Sequence, residues 1–373
     1  MQKVKTYIDS VYDEALSMIK ALASIPSPSL KEEWRVSFIL NWLKENDIEN
    51  AFVDGANNVI IPYNDKDAEK YDLFLAHTDV VFSDDMPFKV VEDGDKLSAP
   101  GIGDDTANVV ALLLFARYVI KNKIYSDYGV LFIANSAEEG IGNLKGSKQI
   151  CERYKGKINS FTSFDIDLGN VVSEAVGSER YEISLHTIGG HSYSAFGNPN
   201  AIVQASQVIG ALSEQKLSQE GKTTFNFGTI KGGTSINSIA QDATFTYEFR
   251  SNKLIALTEM REQFEAFIER FRAEGMDISV KNIGIRPCSN GVDSSHLITK
   301  AVKALEKVDI HATLKPGSTD CNIPLSQGVP AVCFGLVKDV AAHTREEYIL
   351  KSSIKPGFIA GLTYVLSVLE GTE

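Results

Sequence analysis

His77 and Asp79 close an apolar run that begins at Leu73, and their spacing suits a metal ligand and its partner. Residues two apart in an extended strand project to the same side, so the imidazole and the carboxylate share one side of the strand end. A metal-ligating histidine needs an acceptor on its second ring nitrogen, which a carboxylate at this spacing can supply. A lone His-x-Asp has a plainer alternative, a hydrogen-bonded histidine at a strand end. The pair gains meaning from groups further along the chain: Gly101-Ile-Gly-Asp104-Asp105, Glu138-Glu139, Asp165-Ile-Asp167 and His343. Together these are the acids and imidazoles that a two-metal hydrolase needs.

Such a site takes about three protein ligands per ion, with one carboxylate bridging. Imidazole with carboxylate favours zinc, with cobalt or manganese accepted by the same donors. Asp104 and Asp105 sit in a glycine-permitted turn that leads into a helix. An N-cap is the ordinary role for an aspartate there. A dinucleotide loop fails, because Gly101-x-Gly103 lacks a third glycine and places acids where phosphate would lie. Glu138 and Glu139 follow an apolar stretch, and adjacent carboxylates repel unless something positive lies beside them. One of the pair can hold metal while the other, facing water, works as general base; the alternative is a solvated pair. Asp165, Asp167 and His343 repeat the strand-end pattern, for which caps and surface residues are again the alternatives.

The elements that must position these groups alternate between strand and helix. Helical spacing runs over residues 5 to 23 and stops at Ile25-Pro-Ser-Pro28, and a second helix covers Glu32 to Glu45. Strands are predicted at Val59–Pro62, Leu73–Ala76 and Tyr128–Ala134, and a helix at Asn108–Ile120. This order predicts an α/β sandwich on a largely parallel or mixed sheet. Near Gly177 the pattern changes to alternating strands at Tyr181–Thr187, Thr223–Ile230 and Ala243–Arg250, with helices at Asn200–Ser213 and Leu257–Ala273. That order predicts a small α+β module with helices on one face of an antiparallel sheet. The α/β pattern returns from Asp293: a helix to Glu306, a strand at Ala331–Gly335 and a last helix from near Lys355. The expected division is therefore 1–176 with 287–373 as one domain and 177–286 as a module inserted into it.

With 373 residues, 43% of them hydrophobic and 23% charged, the chain has the composition of a soluble protein of two domains. A formal net charge of -12 argues against nucleic acid or an anionic membrane as partner. Met1 to Tyr7 lacks a signal-peptide core, and no run approaches the ~18 apolar residues of a membrane span. Cys151, Cys288, Cys321 and Cys333 form no Cys-x-x-Cys pair, so neither a thiolate zinc site nor a disulfide framework is expected. A reducing cytoplasm is the expected location.

Taken in order, His77-Thr-Asp79, Gly101-x-Gly-x-Asp-Asp, Glu138-Glu139, Asp165 and His343 resemble the co-catalytic dizinc family of tripeptidase T, carboxypeptidase G, acetylornithine deacetylase and aminoacylase. The resemblance extends through Gly190-His191-Ser192, Gly232 to Asn237, Glu248-x-Arg250 and Gly317 to Asn322. It implies a phosphorylase/hydrolase-like catalytic sandwich with a lid of the dimerisation type, and two divalent ions, zinc first, on His77, Asp104, Glu139, Asp165 and His343. Asp104 would bridge, aimed by a cis peptide to Asp105; Asp79 would orient His77 and Glu138 would be the general base. His191 would polarise the scissile carbonyl, and Asn237 and Arg250 would bind the substrate's carboxylate near Gly317 and Ser318. The implied substrate is a short peptide, with an N-acyl amino acid as the alternative, and the implied partner a second copy joined through the lid. A catalytically dead metal-binding scaffold is a third reading, against which Glu138 and the full ligand set both count. Three departures stand out: Thr106 replaces the family's usual Lys, Glu248 replaces an Asp, and Asp167 rivals Asp165 by a one-step shift.

Overall fold

A computed structural model describes residues 1–370. The chain forms two compact units, Met1–Ala175 with Asn290–Glu373, and Val176–Ser289.

The first unit is built on one mixed eight-stranded sheet. Its spatial order is Phe52–Val53, Val59–Tyr63, Gly129–Asn135, Tyr71–His77, Ile158–Leu168, Ala331–Gly335, Asn170–Ala175 and Thr313–Gly317. The Tyr71–His77 strand lies at its centre, parallel to both neighbours. Phe74 and Ala76 pack on one face with Phe115, Phe358 and Tyr364, while Leu73 and Leu75 pack on the other with Leu131, Ile150 and Leu325. Both faces are dry, so the strand is apolar at every position rather than at alternate ones. Each fully buried Phe or Leu there contributes roughly 1.5–3 kcal/mol.

Parallel strands that end at one edge bring distant segments side by side. His77 pairs with Asn135, which immediately precedes the Ser136–Glu139 loop. Leu75 pairs with Ser163, which sets Asp165 level with His77. The sequence pattern missed the Ile158–Leu168 strand, because Ser160, Thr162 and Ser163 interrupt its apolar run. It also missed a second, antiparallel sheet in the order Asp339–Val340, Tyr348–Leu350, Lys96–Ser98 and Val91–Asp93. Strands of two or three residues carry too few positions for a period to show.

Two helical expectations need correction. Residues 5 to 23 form two helices, Gln2–Ser10 and Tyr12–Ser24, broken at Val11. The last helix starts at Lys351, and contrary to the sequence reading Lys351–Leu369 is long and apolar enough to cross a membrane by length and composition. Charged residues are confined to its first turns, and small and hydroxyl residues further along hide the length of the apolar stretch from a residue-by-residue count. It is a core helix: 67% of its apolar window is buried, with Phe358, Leu362, Tyr364 and Val365 inside the first unit.

The second unit is a four-stranded antiparallel sheet in the order Thr223–Gly232, Asp242–Ser251, Gly177–His186 and Asp277–Arg286. Helices Ala201–Ser213 and Leu254–Ala273 bury Val208, Leu212, Met260 and Phe264 against Ile183, Phe245, Tyr247 and Phe249. The opposite face carries Arg180, Glu182, Thr246, Glu248 and Arg250, the polar half of each alternation.

Docking of the last helix is testable at Gly357, where an added Cβ would lie 1.7 Å from the backbone oxygen of Leu336. Gly357→Ala should destabilise the chain by about 1–3 kcal/mol, the usual range for overpacking. A denaturant titration measures this, and an unchanged midpoint would contradict the packing described.

Candidate active site

Asp104 lies between two histidines that are far apart in sequence. Its Oδ1 is 3.0 Å from His77 Nε2, and its Oδ2 is 3.0 Å from His343 Nε2. His343 Nε2 is also 2.9 Å from Glu139 Oε1. A carboxylate that offers one oxygen to each side is placed as a bridging ligand would be. The Gly101–Asp105 turn achieves this through Gly101, whose φ of 71° and proximity to Val80 exclude a side chain, and through a cis Asp104–Asp105 peptide.

Among the described residues two groups of ligand atoms lie within 4.8 Å of one another: His77 with Asp104 and Glu139, and His77 with Asp105 and Asp165. Asp165 therefore joins the cluster. Asp167 does not: its carboxylate accepts the Asp339 N–H at 3.0 Å and pairs with Lys338. Ile166, at φ 71°, breaks the strand alternation that would have kept the two aspartates equivalent. Ala137 and His343 also adopt positive φ, so left-handed residues stand beside or at three of the clustered positions.

Asp79 works on two fronts. Its Oδ1 lies 3.4 Å from His77 Nδ1, whose nearer acceptor is the Asp79 carbonyl at 3.1 Å. The same carboxylate accepts the backbone N–H groups of Glu138 and Glu139, each at 2.9 Å, and the Ser29 hydroxyl at 2.6 Å. Asp79 thus fixes the backbone of both glutamates as well as facing the histidine. Glu138 is buried next to Glu139.

Several buried residues outside the expected ligand set complete the frame. Asp105 accepts the His77 N–H at 2.8 Å and the Asn108 side chain at 2.5 Å. Arg35 is fully buried and donates to the carbonyls of Ile25 and Thr78 and to the Thr106 hydroxyl, each at 3.0 Å. Thr106 in turn donates to the Gly101 carbonyl at 2.5 Å, so the departure at this position serves the turn. Asp320 accepts from Asn135, and Glu347 accepts from the Asp104 turn. The adjacency of Asp105 to Asp104 was a readable signal; for Arg35, Asp320 and Glu347 the signal existed only as long-range contacts.

Gly317 ends the Thr313–Gly317 strand of this unit, and Ser318 follows it. The other named residues belong to the second unit. His191 lies on a short strand paired with Ser238, and its Nδ1 accepts the Tyr193 N–H at 3.2 Å, which leaves Nε2 as the protonated, donating nitrogen. Asn237 adjoins it, its carbonyl accepting the Ser192 N–H at 3.0 Å. Arg250 pairs with Glu248 through Nε and Nη2, both at 3.1 Å.

Charge in the cluster is unbalanced, with five carboxylates (Asp104, Asp105, Glu138, Glu139, Asp165) around two imidazoles. Burial, then Asp104, raises Glu139 to about 7, and the same two causes hold Asp165 well above the usual carboxylate range. Burial also raises Asp105. Asp104 is the exception: burial opposes its charge, but hydrogen bonds from both histidines outweigh it and hold its pKa low. Hydrogen bonds to Asp104 and Glu139 push His343 to about 11, and the surrounding acids overcome burial to raise His77. Divalent cations would relieve this repulsion, and the donor set, without cysteine in either group, suits zinc, cobalt or manganese.

This fold and donor set define a class of α/β hydrolase with a cation-binding centre at the ends of parallel strands. Residues 73–366 match the model of Peptidase family M20/M25/M40. The chain belongs to that family. It is 25% identical over 306 residues to the acetylornithine deacetylase of Buchnera aphidicola subsp. Schizaphis graminum, a match that covers 76% of this chain and 77% of that one. Among solved structures, it is similar to a tripeptidase from Staphylococcus aureus (TM-score 0.77, 20% identity, 96% of this chain and 99% of that one). It is also similar to the aminopeptidase PepT from Bacillus cereus (TM-score 0.73, 21% identity, 96% and 98%).

The electrostatics predict a pH trend for the metal-free chain. Glu139 keeps its proton in the fold up to about 7, against about 4.3 unfolded, so its ionisation costs stability as pH rises between those values. A raised histidine stabilises fully below about 6.5 and loses that contribution as pH climbs, toward about 11 for His343. Both effects have one sign: the fold binds more protons than the unfolded chain, so stability should fall from about pH 5 to about pH 8. Thermal midpoints in chelator should decline over that window, and added zinc should flatten the slope. A midpoint that rises with pH would contradict the assignment.

Proposed function

We propose that this chain hydrolyses an amide bond in a short peptide, using two divalent ions held by His77, Asp104, Glu139, Asp165 and His343. The observation that carries this reading is Asp104, with one oxygen 3.0 Å from each of two histidines and Glu139 beside the second. When bound, the ions would supply Lewis acidity toward the carbonyl and bring the pKa of water toward neutrality. Glu138, its backbone fixed by Asp79, takes the proton from the attacking water and passes it to the leaving amine nitrogen. His191 donates through Nε2 to the carbonyl oxygen as charge develops there. Arg250 and Asn237 hold the substrate's free carboxylate, with the Glu248 pair keeping the guanidinium oriented. The same reading gives the Gly317–Ser318 backbone of the first unit a part in holding substrate. Pairing of two copies through an edge strand of the Val176–Ser289 sheet belongs to this proposal as well.

Similarity to a tripeptidase and an aminopeptidase over almost the whole chain supports the peptide substrate. A second reading, N-acyl amino acid deacylation, is favoured by the likeness to acetylornithine deacetylase. A screen of di- and tripeptides beside N-acetyl amino acids separates them. Peptides should be cleaved faster, chelator should abolish turnover, and zinc, cobalt or manganese should restore it. Preference for the acetylated substrates would select the second reading, and full turnover in chelator would remove both.

The two glutamates should part company. Glu138→Gln keeps shape but accepts no proton, so turnover should fall by ~10²–10⁴ with metal content unchanged. Glu139→Gln exchanges a charged donor for a neutral one and should lower metal content itself. Metal analysis of both purified variants beside their rates decides, and a reversed pattern would exchange the roles.

A further inference from the structure

A carboxylate outside the proposed ligand set holds the turn that carries Asp104. Glu347 is buried, and its two oxygens accept three backbone N–H groups: Gly101 at 2.7 Å on Oε2, and Gly103 at 2.8 Å and Asp104 at 3.0 Å on Oε1. Buried N–H groups in an irregular turn need acceptors, and a carboxylate meets the need more strongly than a neutral group.

Glu347 also stands at the end of the loop that carries His343. That loop leaves the Asp339–Val340 strand and re-enters the small sheet at Tyr348, which pairs with Ser98. The same sheet therefore delivers Ser98, shortly before Gly101, and Tyr348, directly after Glu347, to one place. Residues 341–346 are exposed, and His343 is itself 54% exposed. His77, by contrast, pairs with Asn135 within the large sheet, and Asp165 lies two residues beyond the Leu75–Ser163 pair on a neighbouring strand. One half of the cluster thus has a rigid parallel-strand frame, and the other half depends on two loops joined at Glu347.

We propose that Glu347 is a positioning residue for the half of the site formed by Asp104, Glu139 and His343. It fixes the Asp104 turn against the His343 loop, and so sets the affinity of the ion those three residues share. The ion held with His77 and Asp165 shares Asp104 but takes its other two ligands from strands of the large sheet, so it depends on Glu347 less. The inference rests on the two-ion reading given under the proposed function.

The test measures metal binding directly, by chelator competition on the full chain with zinc as the probe. Wild type should hold two zinc ions. Glu347→Gln offers one oxygen and a donating NH₂ group where two oxygens faced three N–H groups. It should keep the tighter ion and bind the second about 10–100-fold more weakly, the range expected when a residue behind the ligands is lost. Turnover should fall in parallel and return when excess zinc is supplied, a rescue that general unfolding would not show. Glu347→Ala should weaken the same ion further; if it fails to fold, the Gln variant carries the test alone. Unchanged affinity for both ions, or equal weakening of both, would overturn the assignment. Fewer than two ions on the wild type would instead remove the two-ion reading beneath it.

Discussion

Charge without water is the condition around which the first unit is arranged. Carboxylates at Asp79, Asp104, Asp105, Glu138, Glu139, Asp165 and Glu347 are crowded at one end of a dry sheet, where an uncompensated anion is costly. The structure answers in two ways. Carboxylates turned away from the centre of the cluster are met by backbone N–H groups: Asp79 by Glu138 and Glu139, Asp105 by His77, and Glu347 by three groups of the turn. Of those turned inward, Glu139 and Asp165 are raised by burial and by Asp104, while the two histidines hold Asp104 low. Divalent cations held there would offset the repulsion among the inward carboxylates.

The frame is unequal across the site. His77 and Asp165 inherit their positions from adjacent parallel strands whose side chains pack on both faces, so the precision of the core passes directly to them. Glu138 and Glu139 sit one step out, on a loop whose N–H groups are held by Asp79 and which follows the left-handed Ala137. Asp104 and His343 lie on loops, tied through short strands. Such a gradient from strand to loop is how a stiff scaffold can carry groups that must adapt to an ion and a substrate.

The Val176–Ser289 unit has its own core and a helix-free polar sheet face. It contributes a different chemistry: a histidine with a defined donating nitrogen, an adjacent asparagine and an arginine oriented by a glutamate. In the proposed reading these groups recognise and polarise the substrate. The acidic cluster lies in one unit and these groups in the other, each on its own core.

Much of this was legible in the chain itself. Apolar runs ending in His77 and in the Glu138-Glu139 pair announced strand ends, because a strand buried on both faces must be apolar throughout and its first polar residues mark where it emerges. The alternation at Tyr181 and Ala243 announced the change to a half-exposed antiparallel sheet, since period two survives only when one face meets water. The order of the acids and histidines carried the family resemblance. Other features were decided only in three dimensions. Whether Asp165 or Asp167 joins the cluster turned on the left-handed Ile166 and on the ion pair with Lys338. The parts played by Arg35 and Glu347 came from contacts across 71 and about 245 positions of sequence, which no local period encodes. Local patterning reports which side of an element meets water; which distant backbone a buried charge must satisfy is fixed when the sheets assemble.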